Sequence, residues 1–302
     1  MREIKKIVWA TDGSKESDEA LNYARLFAQR FNSEIISISV IPMTKSLLSY
    51  YSREPDSELY RWVDKAAEEH KTRFASIADE LSTQGLRFRG EILKGEPNKE
   101  IVGLAGSEKA DLIVMGKRGH GLIDRILVGN TTIKVLRESN IPVLAVGKKD
   151  KEGAIEIRNI LVPVDTYEKT DSALNYAIDL ARNINASISV LYALSAYYYE
   201  TYYVDVMKNL IKFYSDELAR RVKEVKLKRG IGDGGTFTLE INTEVIEGIS
   251  PSVTIVEYAS SKNTDLIVMN THGRKGIKRF ILGSITEKVI QESPCPVLAL
   301  RP

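Results

Sequence analysis

The 302-residue chain has little of the chemistry that metal sites and disulfide-stabilised folds require, because it contains one cysteine and three histidines. A single cysteine excludes an intramolecular disulfide and fits a reducing compartment. The histidines are too few and too far apart for a zinc site. Since Cys295 lies beside the apolar run Pro296-Val297-Leu298, we expect a buried structural thiol and not a nucleophile.

An excess of charge and long apolar runs are also lacking. The 43 basic and 41 acidic residues give a formal net charge of +2, so the composition does not indicate a nucleic-acid partner. No apolar run approaches the length that spans a bilayer. The first six residues lead into a strand and lack the apolar segment of a signal peptide. We therefore expect a cytoplasmic protein with neither a membrane nor a nucleic acid as partner.

Common catalytic motifs are missing as well. No Gly-x-x-x-x-Gly-Lys-Ser/Thr segment occurs, which excludes a Walker-type NTPase. No Ser-His-Asp ordering and no carboxylate pair indicates hydrolytic chemistry. We assign no catalytic residues and no metal ligands.

What the chain does contain is a repeat. The segment Asp111–Gly121 reads DLIVMGKRGHG and returns as DLIVMNTHG at Asp265–Gly273. In both copies nine residues separate a turn glycine, Gly119 or Gly273, from a second glycine. The period is too long for a solenoid. The sequence predicts two copies of one domain, at 1–147 and 157–302, joined by a charged linker at 148–156.

Each copy alternates short apolar strands with amphipathic helices, the pattern of an α/β fold with parallel strands and right-handed crossovers. In the first copy the pattern predicts a single long helix from Tyr51 to about Leu81.

The polar residues of interest follow the predicted first and fourth strands. Asp12 and Asp165 end first strands, while Gly116 and Asn270 follow fourth strands. In an open parallel sheet, ligands bind beyond the carboxyl ends of the strands, where the strand order reverses. If the first and fourth strands are neighbours, these residues converge on one crevice.

The second glycine of each copy, Gly129 or Gly283, begins a predicted helix whose free N–H groups favour an anion. We expect an anion to sit between the turn and this helix start, with Lys117-Arg118 and Arg274-Lys275 supplying positive charge. His120 and His272 flank the turns at different positions, as phosphate or ribose contacts or as surface residues. The plainer alternative is that the glycines only shape strand-to-helix turns.

These residues resemble those of the universal stress protein (UspA-like) family, as a tandem pair covering nearly the whole chain. The resemblance implies two Rossmann-like, adenine nucleotide alpha hydrolase-like domains, each with a five-stranded parallel sheet in the order 3-2-1-4-5 and helices on both faces. ATP-binding members carry Gly-x-x-Gly-x9-Gly-Ser/Thr after the fourth strand and an aspartate at the end of the first.

Carried over to this chain, the resemblance implies two sites for ATP, with or without Mg²⁺. In the first copy the implied site residues are Ala10, Thr11, Asp12, Val40, Met115, Gly116, Gly119, Gly129, Asn130, Thr131 and Thr132. In the second copy they are Pro163, Val164, Asp165, Ala193, Met269, Asn270, Gly273, Gly283, Ser284, Ile285 and Thr286. Each copy departs from the family pattern once, with Asn130 in place of Ser or Thr and Asn270 in place of the first glycine.

The functional prediction is an ATP-binding, nucleotide-responsive stress or signalling module. A slow ATPase or phosphotransfer enzyme on the same scaffold is one alternative, and an interaction protein that binds no nucleotide is another. The final strands of the two copies are expected to pair as an internal pseudo-dimer, with a further homodimer as an option.

Overall fold

Two α/β units follow one another along the chain. The computed structural model describes residues 3–119, 128–148, 155–165, 171–195, 203–232, 238–271 and 282–301. The units are Glu3–Ile155 and Glu156–Pro302, so each unit holds one copy of the sequence repeat.

In the first unit, strands and helices alternate as the sequence predicts, with one helix more than expected. The elements in chain order are β1 (Lys6–Ala10), α1 (Lys15–Phe31), β2 (Glu34–Pro42), α2 (Lys45–Arg53), α3 (Glu58–Thr83), β3 (Arg87–Gly95), α4 (Pro97–Ser107), β4 (Leu112–Gly116), α5 (Asn130–Glu138) and β5 (Val143–Val146).

The strands of the first unit pair in parallel, in the order β3-β2-β1-β4-β5. Four of the five β1 residues and all of β4 are buried, as expected for strands covered on both faces. Because the chain leaves β1 toward β2 and later returns to β4 on the other side of β1, the strand order reverses between β1 and β4. The predicted α/β fold class is confirmed.

The second unit repeats this arrangement. Its elements are β6 (Asn159–Pro163), α6 (Ser172–Ile184), β7 (Ser187–Ser195), α7 (Tyr203–Lys228), β8 (Ile241–Gly248), α8 (Pro251–Ser261), β9 (Leu266–Asn270), α9 (Ser284–Glu292) and β10 (Val297–Leu300). The pairs β7–β8, β6–β7, β6–β9 and β9–β10 are all parallel. The reversal therefore lies between β6 and β9.

Aromatic packing joins α3 to the sheet of the first unit. The Phe74 ring lies 6.4 Å from that of Trp9 on β1 and 6.2 Å from that of Phe88 on β3, both edge to face. The indole N–H of Trp9 donates to the Ser17 carbonyl oxygen at 2.8 Å. Since Trp9 is fully buried, this one side chain connects β1, α1 and α3.

The predicted helix from Tyr51 to Leu81 is wrong, because two helices occupy this stretch and the first begins earlier. Pro55 disfavours helical backbone in the residue before it, and α2 ends at Arg53. Ser57 then caps α3, its hydroxyl accepting from the Tyr60 N–H. Helical periodicity continues on both sides of the proline, but the backbone cannot remain helical through it.

Cys295 is buried, as predicted. No described helix is long and apolar enough to cross a membrane. The boundaries of the linker and the pairing of the final strands of the two units stay predictions.

Two glycine substitutions test the packing of the first unit. A Cβ on Gly90 of β3 would lie 2.3 Å from Cδ2 of Phe74, whose ring is held by Trp9 and Phe88. We expect Gly90→Ala to destabilise the fold by about 1–3 kcal/mol, measured by urea unfolding. The matched control is Gly103→Ala in α4, where a Cβ would meet nothing within 4 Å, so it should raise stability by about 0.5–1 kcal/mol. Equal effects of the two changes would contradict this packing.

Candidate functional site

The candidate site of the first unit begins where β1 and β4 end side by side. Ala10 and Met115 are register partners at the ends of these strands, and each is only 5% exposed. Strand β2 continues past this level, because Ile38 pairs with Ala10 and Val40 lies two residues further on. The predicted convergence of the first and fourth strands at the reversal is present.

The turn from β1 into α1 is held by its own polar side chains. The buried Thr11 hydroxyl shares a 2.9 Å hydrogen bond with that of Ser17 and accepts from the Gly13 N–H. Ser14 caps α1, and its N–H donates to Oδ1 of Asp12 at 3.0 Å. This turn fixes the backbone of Asp12 at the edge of the crevice.

Gly119 lies directly beside the Asp12 carboxylate. A Cβ on Gly119 would stand 2.2 Å from Oδ2 of Asp12. The sequence predicted an anion between the turn that holds this glycine and the following helix start. In the structure, the negatively charged group against Gly119 is the carboxylate of Asp12, which joins the turn after β4 to the turn after β1.

Gly116 is required by the packing of a helix. A Cβ there would lie 3.0 Å from the Ser17 nitrogen, from the Glu16 carbonyl carbon and from the Arg118 carbonyl oxygen. The N-terminus of α1 thus packs closely against the end of β4. In the second unit the equivalent Asn270 is buried, and its Oδ1 accepts from the Ser172 hydroxyl at 2.8 Å. The side chain that replaces the glycine therefore bonds to α6.

The helix starts after β4 and β9 are built identically in the two units. Gly129 and Gly283 are the N-cap residues of α5 and α9 and offer no capping side chain. The Gly129 N–H donates to the Lys117 carbonyl oxygen at 2.8 Å, and the Gly283 N–H donates to that of Thr271 at 2.8 Å. Turn and helix start are thus joined directly. The anion expected between the turn and the helix start stays a prediction.

A second hydrogen bond ties each helix to its strand. The buried Thr132 hydroxyl donates to the Gly116 carbonyl oxygen at 2.8 Å, and the buried Thr286 hydroxyl donates to that of Asn270 at 2.9 Å. These hydroxyl protons are used within the protein, so the two threonines anchor the helix to the end of the strand. The residues exposed or half-exposed at the helix starts are Asn130, Thr131, Ser284 and Ile285.

Arg118, one of the two basic residues expected to supply positive charge, is paired with an acidic side chain, and the other, Lys117, is buried. Glu16 of α1 accepts from the Arg118 backbone N–H at 2.8 Å and pairs with its guanidinium at 3.0 Å. Lys117 is 3% exposed, and its aliphatic stem packs beside Gly147. The sequence did not indicate Glu16, although its place in the first turn of α1 could have suggested contact with the neighbouring turn.

The second crevice is assembled differently at its strand ends. The register of β6 with β9 runs through Ile160–Leu266 and Leu161–Ile267. Pro163, which replaces Ala10, has no N–H for the ladder. Beyond the strand, the Arg221 guanidinium of α7 donates to the Asp165 carbonyl oxygen at 3.0 Å and pairs with Asp171.

Other predicted residues of the second unit lie as follows. The Val164 N–H donates to the Leu191 carbonyl oxygen at 2.9 Å. Ala193 pairs with Ile246 of β8, and Met269 is buried on β9. Gly273, Arg274, Lys275, His120 and His272 lie outside the described residues.

His70 is close to the first crevice and was not predicted to be. Its Nε2 lies 3.2 Å from Oγ of Ser39 on β2, the residue before Val40. Burial lowers the pKa of His70 below 6.5, and the charge of Arg73 lowers it further, while Glu69 and Asp12 act in the opposite direction. The contact with Ser39 joins this histidine to β2, the strand that borders the candidate site. No sequence motif points to His70, because the packing of α3 on the sheet brings it to Ser39.

These features define an α/β protein with a candidate anion and ligand site at each strand reversal. The universal stress protein family model matches residues 3–147 and 156–301. A universal stress protein of Methanocaldococcus jannaschii is 30% identical over 148 residues, which are 48% of this chain and 82% of that protein. The chain belongs to the universal stress protein family, as the sequence predicted.

Solved structures show the same tandem fold. A universal stress protein from Archaeoglobus fulgidus has a TM-score of 0.72 at 24% identity, with 99% of both chains covered. A protein of unknown function from Pseudomonas aeruginosa has a TM-score of 0.69 at 17% identity, covering 99% of this chain and 93% of that one. At these identities the similarity concerns the fold alone.

Thr132 gives a test of the helix anchor. Thr132→Val keeps the shape of the side chain but leaves the Gly116 carbonyl oxygen buried without this donor. We expect a loss of about 1–3 kcal/mol in the free energy of unfolding, measured by urea denaturation. Thr131→Val, one residue earlier on an exposed or half-exposed position, should change stability by less than about 0.5 kcal/mol. A neutral Thr132→Val would show that the bond does not hold the helix to the strand.

Proposed function

We propose that the chain binds ATP at the β1–β4 crevice and at the equivalent β6–β9 crevice, and acts as a nucleotide-responsive stress or signalling module. One repeated observation carries the proposal. In both units a helix without a capping side chain starts beside the carboxyl end of the fourth strand and is tied to it by the same two hydrogen bonds. Such helix starts favour phosphate groups.

The residues of the first unit fit the parts of ATP. The N–H groups of Asn130, Thr131 and Thr132 open the helix α5 and would hold phosphate oxygens. The Asp12 carboxylate beside Gly119 would accept hydrogen bonds from ribose hydroxyls. The apolar surfaces of Ala10, Val40 and Met115 at the strand ends would face the adenine and the ribose.

In the second unit Ser284, Ile285 and Thr286 open the helix α9 in the same way, with Asp165 in the place of Asp12. Asn270 adds an amide beside the helix start that the first unit lacks. The side-chain oxygen Oδ1 of Asn270 accepts a hydrogen bond from the Ser172 hydroxyl, and this bond orients the side-chain amide. The two sites would therefore bind the same ligand with different affinities.

Mg²⁺ would accompany the triphosphate and be held chiefly by its oxygens, because this ion keeps several waters and uses few protein ligands. Within the described part of the chain, no group of three or more His, Cys, Asp or Glu side chains could hold a metal. The ion would contribute charge neutralisation of the phosphates.

Membership of the universal stress protein family supports this assignment, since ATP-binding members carry the glycine spacing of Gly116, Gly119 and Gly129. The signalling role requires that a conformer or a partner prefers the nucleotide-bound form, because a ligand shifts populations only by its differential affinity.

Gly129→Ala tests the site without disturbing the fold. A Cβ at Gly129 would lie 3.5–3.8 Å from the backbone of the turn, an ordinary contact. Stability should therefore fall by no more than about 1 kcal/mol, the cost of Ala in place of Gly at an N-cap, while the methyl group at the helix start weakens ATP binding in the first unit by about tenfold or more, or about 1.4 kcal/mol. Both tryptophans, Trp9 and Trp62, belong to the first unit, so quenching of their fluorescence on addition of ATP reports this site.

Gly103→Ala in α4 is the matched control and should leave ATP binding unchanged. When ATP is titrated into the full-length Gly129→Ala variant in a calorimeter, the binding heat that remains reports the site of the second unit. An unchanged affinity in Gly129→Ala would place the nucleotide elsewhere. If the wild-type chain binds no ATP, the proposal fails, and the alternative that remains is an interaction protein that binds no nucleotide.

Turnover distinguishes the enzymatic alternative. We expect ATP to remain intact when Mg²⁺ is added, measured as phosphate release over hours. Steady release that Asp12→Ala or Asp165→Ala abolishes would instead establish a slow ATPase.

A further inference from the structure

His70 lies in a cluster that links α3 with the first crevice. Its Nε2 is 3.2 Å from the hydroxyl oxygen of Ser39, which is 1% exposed. Ser39 lies one residue beyond Ile38, the register partner of Ala10. His70 is therefore bonded to β2 at the level where β1 ends, at the residue that precedes Val40.

The charges around His70 come from two elements. Its own helix supplies Arg73 and Glu69, and the turn after β1 supplies Asp12. Arg73 is itself paired with Asp18 of α1. Strand β2 contributes the neutral Ser39. The negative group of the crevice that acts on His70 is thus the Asp12 carboxylate.

In the second unit, aromatic rings lie at the position that corresponds to the Ser39–His70 contact. Tyr192 stands one residue beyond Leu191, the register partner of Pro163, so it matches the position of Ser39. Its ring packs on Tyr214 of α7 with a centroid distance of 4.8 Å. The serine–histidine contact is therefore a feature of the first unit among the described residues.

We propose that His70 is a proton-linked positioning residue of the first crevice: a proton on His70 and an anionic nucleotide beside Asp12 favour one another, so that nucleotide affinity in this unit rises as pH falls. This rests on the proposed function. The reason is reciprocal linkage. The charged imidazole attracts the phosphates and stabilises the negative charge of the Asp12 carboxylate. The bound phosphates in turn stabilise the charged imidazole.

The sign of the pH dependence follows from the two states. In the free protein burial keeps the pKa of His70 below 6.5, so the uncharged imidazole predominates at neutral pH. The bound nucleotide adds negative charge and raises this pKa. Affinity is then constant well above the pKa of the bound form and increases as pH falls through the window between the two pKa values.

The test uses the full chain with ATP, followed by tryptophan fluorescence between pH 5.5 and 8. The comparison is wild type against His70→Gln, which can keep a hydrogen bond to Ser39 and carries no titrating proton. The phosphates of ATP titrate in both proteins, so the ratio of the two affinities isolates His70. We expect this ratio to grow by about three- to tenfold from pH 8 to pH 5.5, since a difference of one between the free and bound pKa values corresponds to tenfold in affinity.

NMR titration of the histidine resonance that His70→Gln removes gives the second measurement. Its pKa should rise when ATP saturates the protein. In the free protein, Asp12→Asn should lower it, because the neighbouring negative charge is lost. These two pKa changes do not depend on how well His70→Gln folds.

The outcomes separate the two proposals. If ATP binds with a constant affinity ratio and an unchanged His70 pKa, the role of His70 is overturned while ATP binding stands. If no ATP binds at any pH, the proposed function fails and the role of His70 fails with it.

Discussion

The candidate site depends on a pair of hydrogen bonds that is repeated in both units. A backbone N–H at the helix start donates to the turn, and a threonine hydroxyl of the first helical turn donates to the carbonyl oxygen at the strand end. Together they hold the free N–H groups of the helix at the edge of the sheet. Because the bonds use the backbone and one small side chain, the arrangement is preserved where the neighbouring residues differ.

The differences between the units follow from what surrounds these bonds. The first unit has a glycine against α1, a ladder that reaches the strand ends, and a histidine bonded to Ser39 of β2. The second unit has Asn270 bonded to Ser172, a proline at the strand end and Arg221 over the turn. Under the proposed function, these differences predict two sites of one architecture with different affinities and different responses to pH.

The sequence was sufficient for the fold class, since apolar periodicity and the repeat set the strands, the helices and the crevice at the reversal. It could not show how side chains are used. The sequence indicates Thr132 only as a residue of the ATP site, and it does not show that the hydroxyl donates to the Gly116 carbonyl oxygen. Arg118 reads as free positive charge, yet Glu16, distant in sequence, pairs with it. His70 reaches Ser39 through the packing of α3 on the sheet, which no local pattern encodes. The break at Pro55, in contrast, follows from a local steric rule that the sequence displays.

The central claim is that the helix starts after β4 and β9 receive the phosphates of ATP. Hydrogen–deuterium exchange of the full chain, with and without saturating ATP, tests it most directly. We predict slower exchange at the amides of Asn130, Thr131 and Thr132, and at those of Ser284, Ile285 and Thr286. Binding of ATP with unchanged exchange at both helix starts, and protection at another surface, would contradict it.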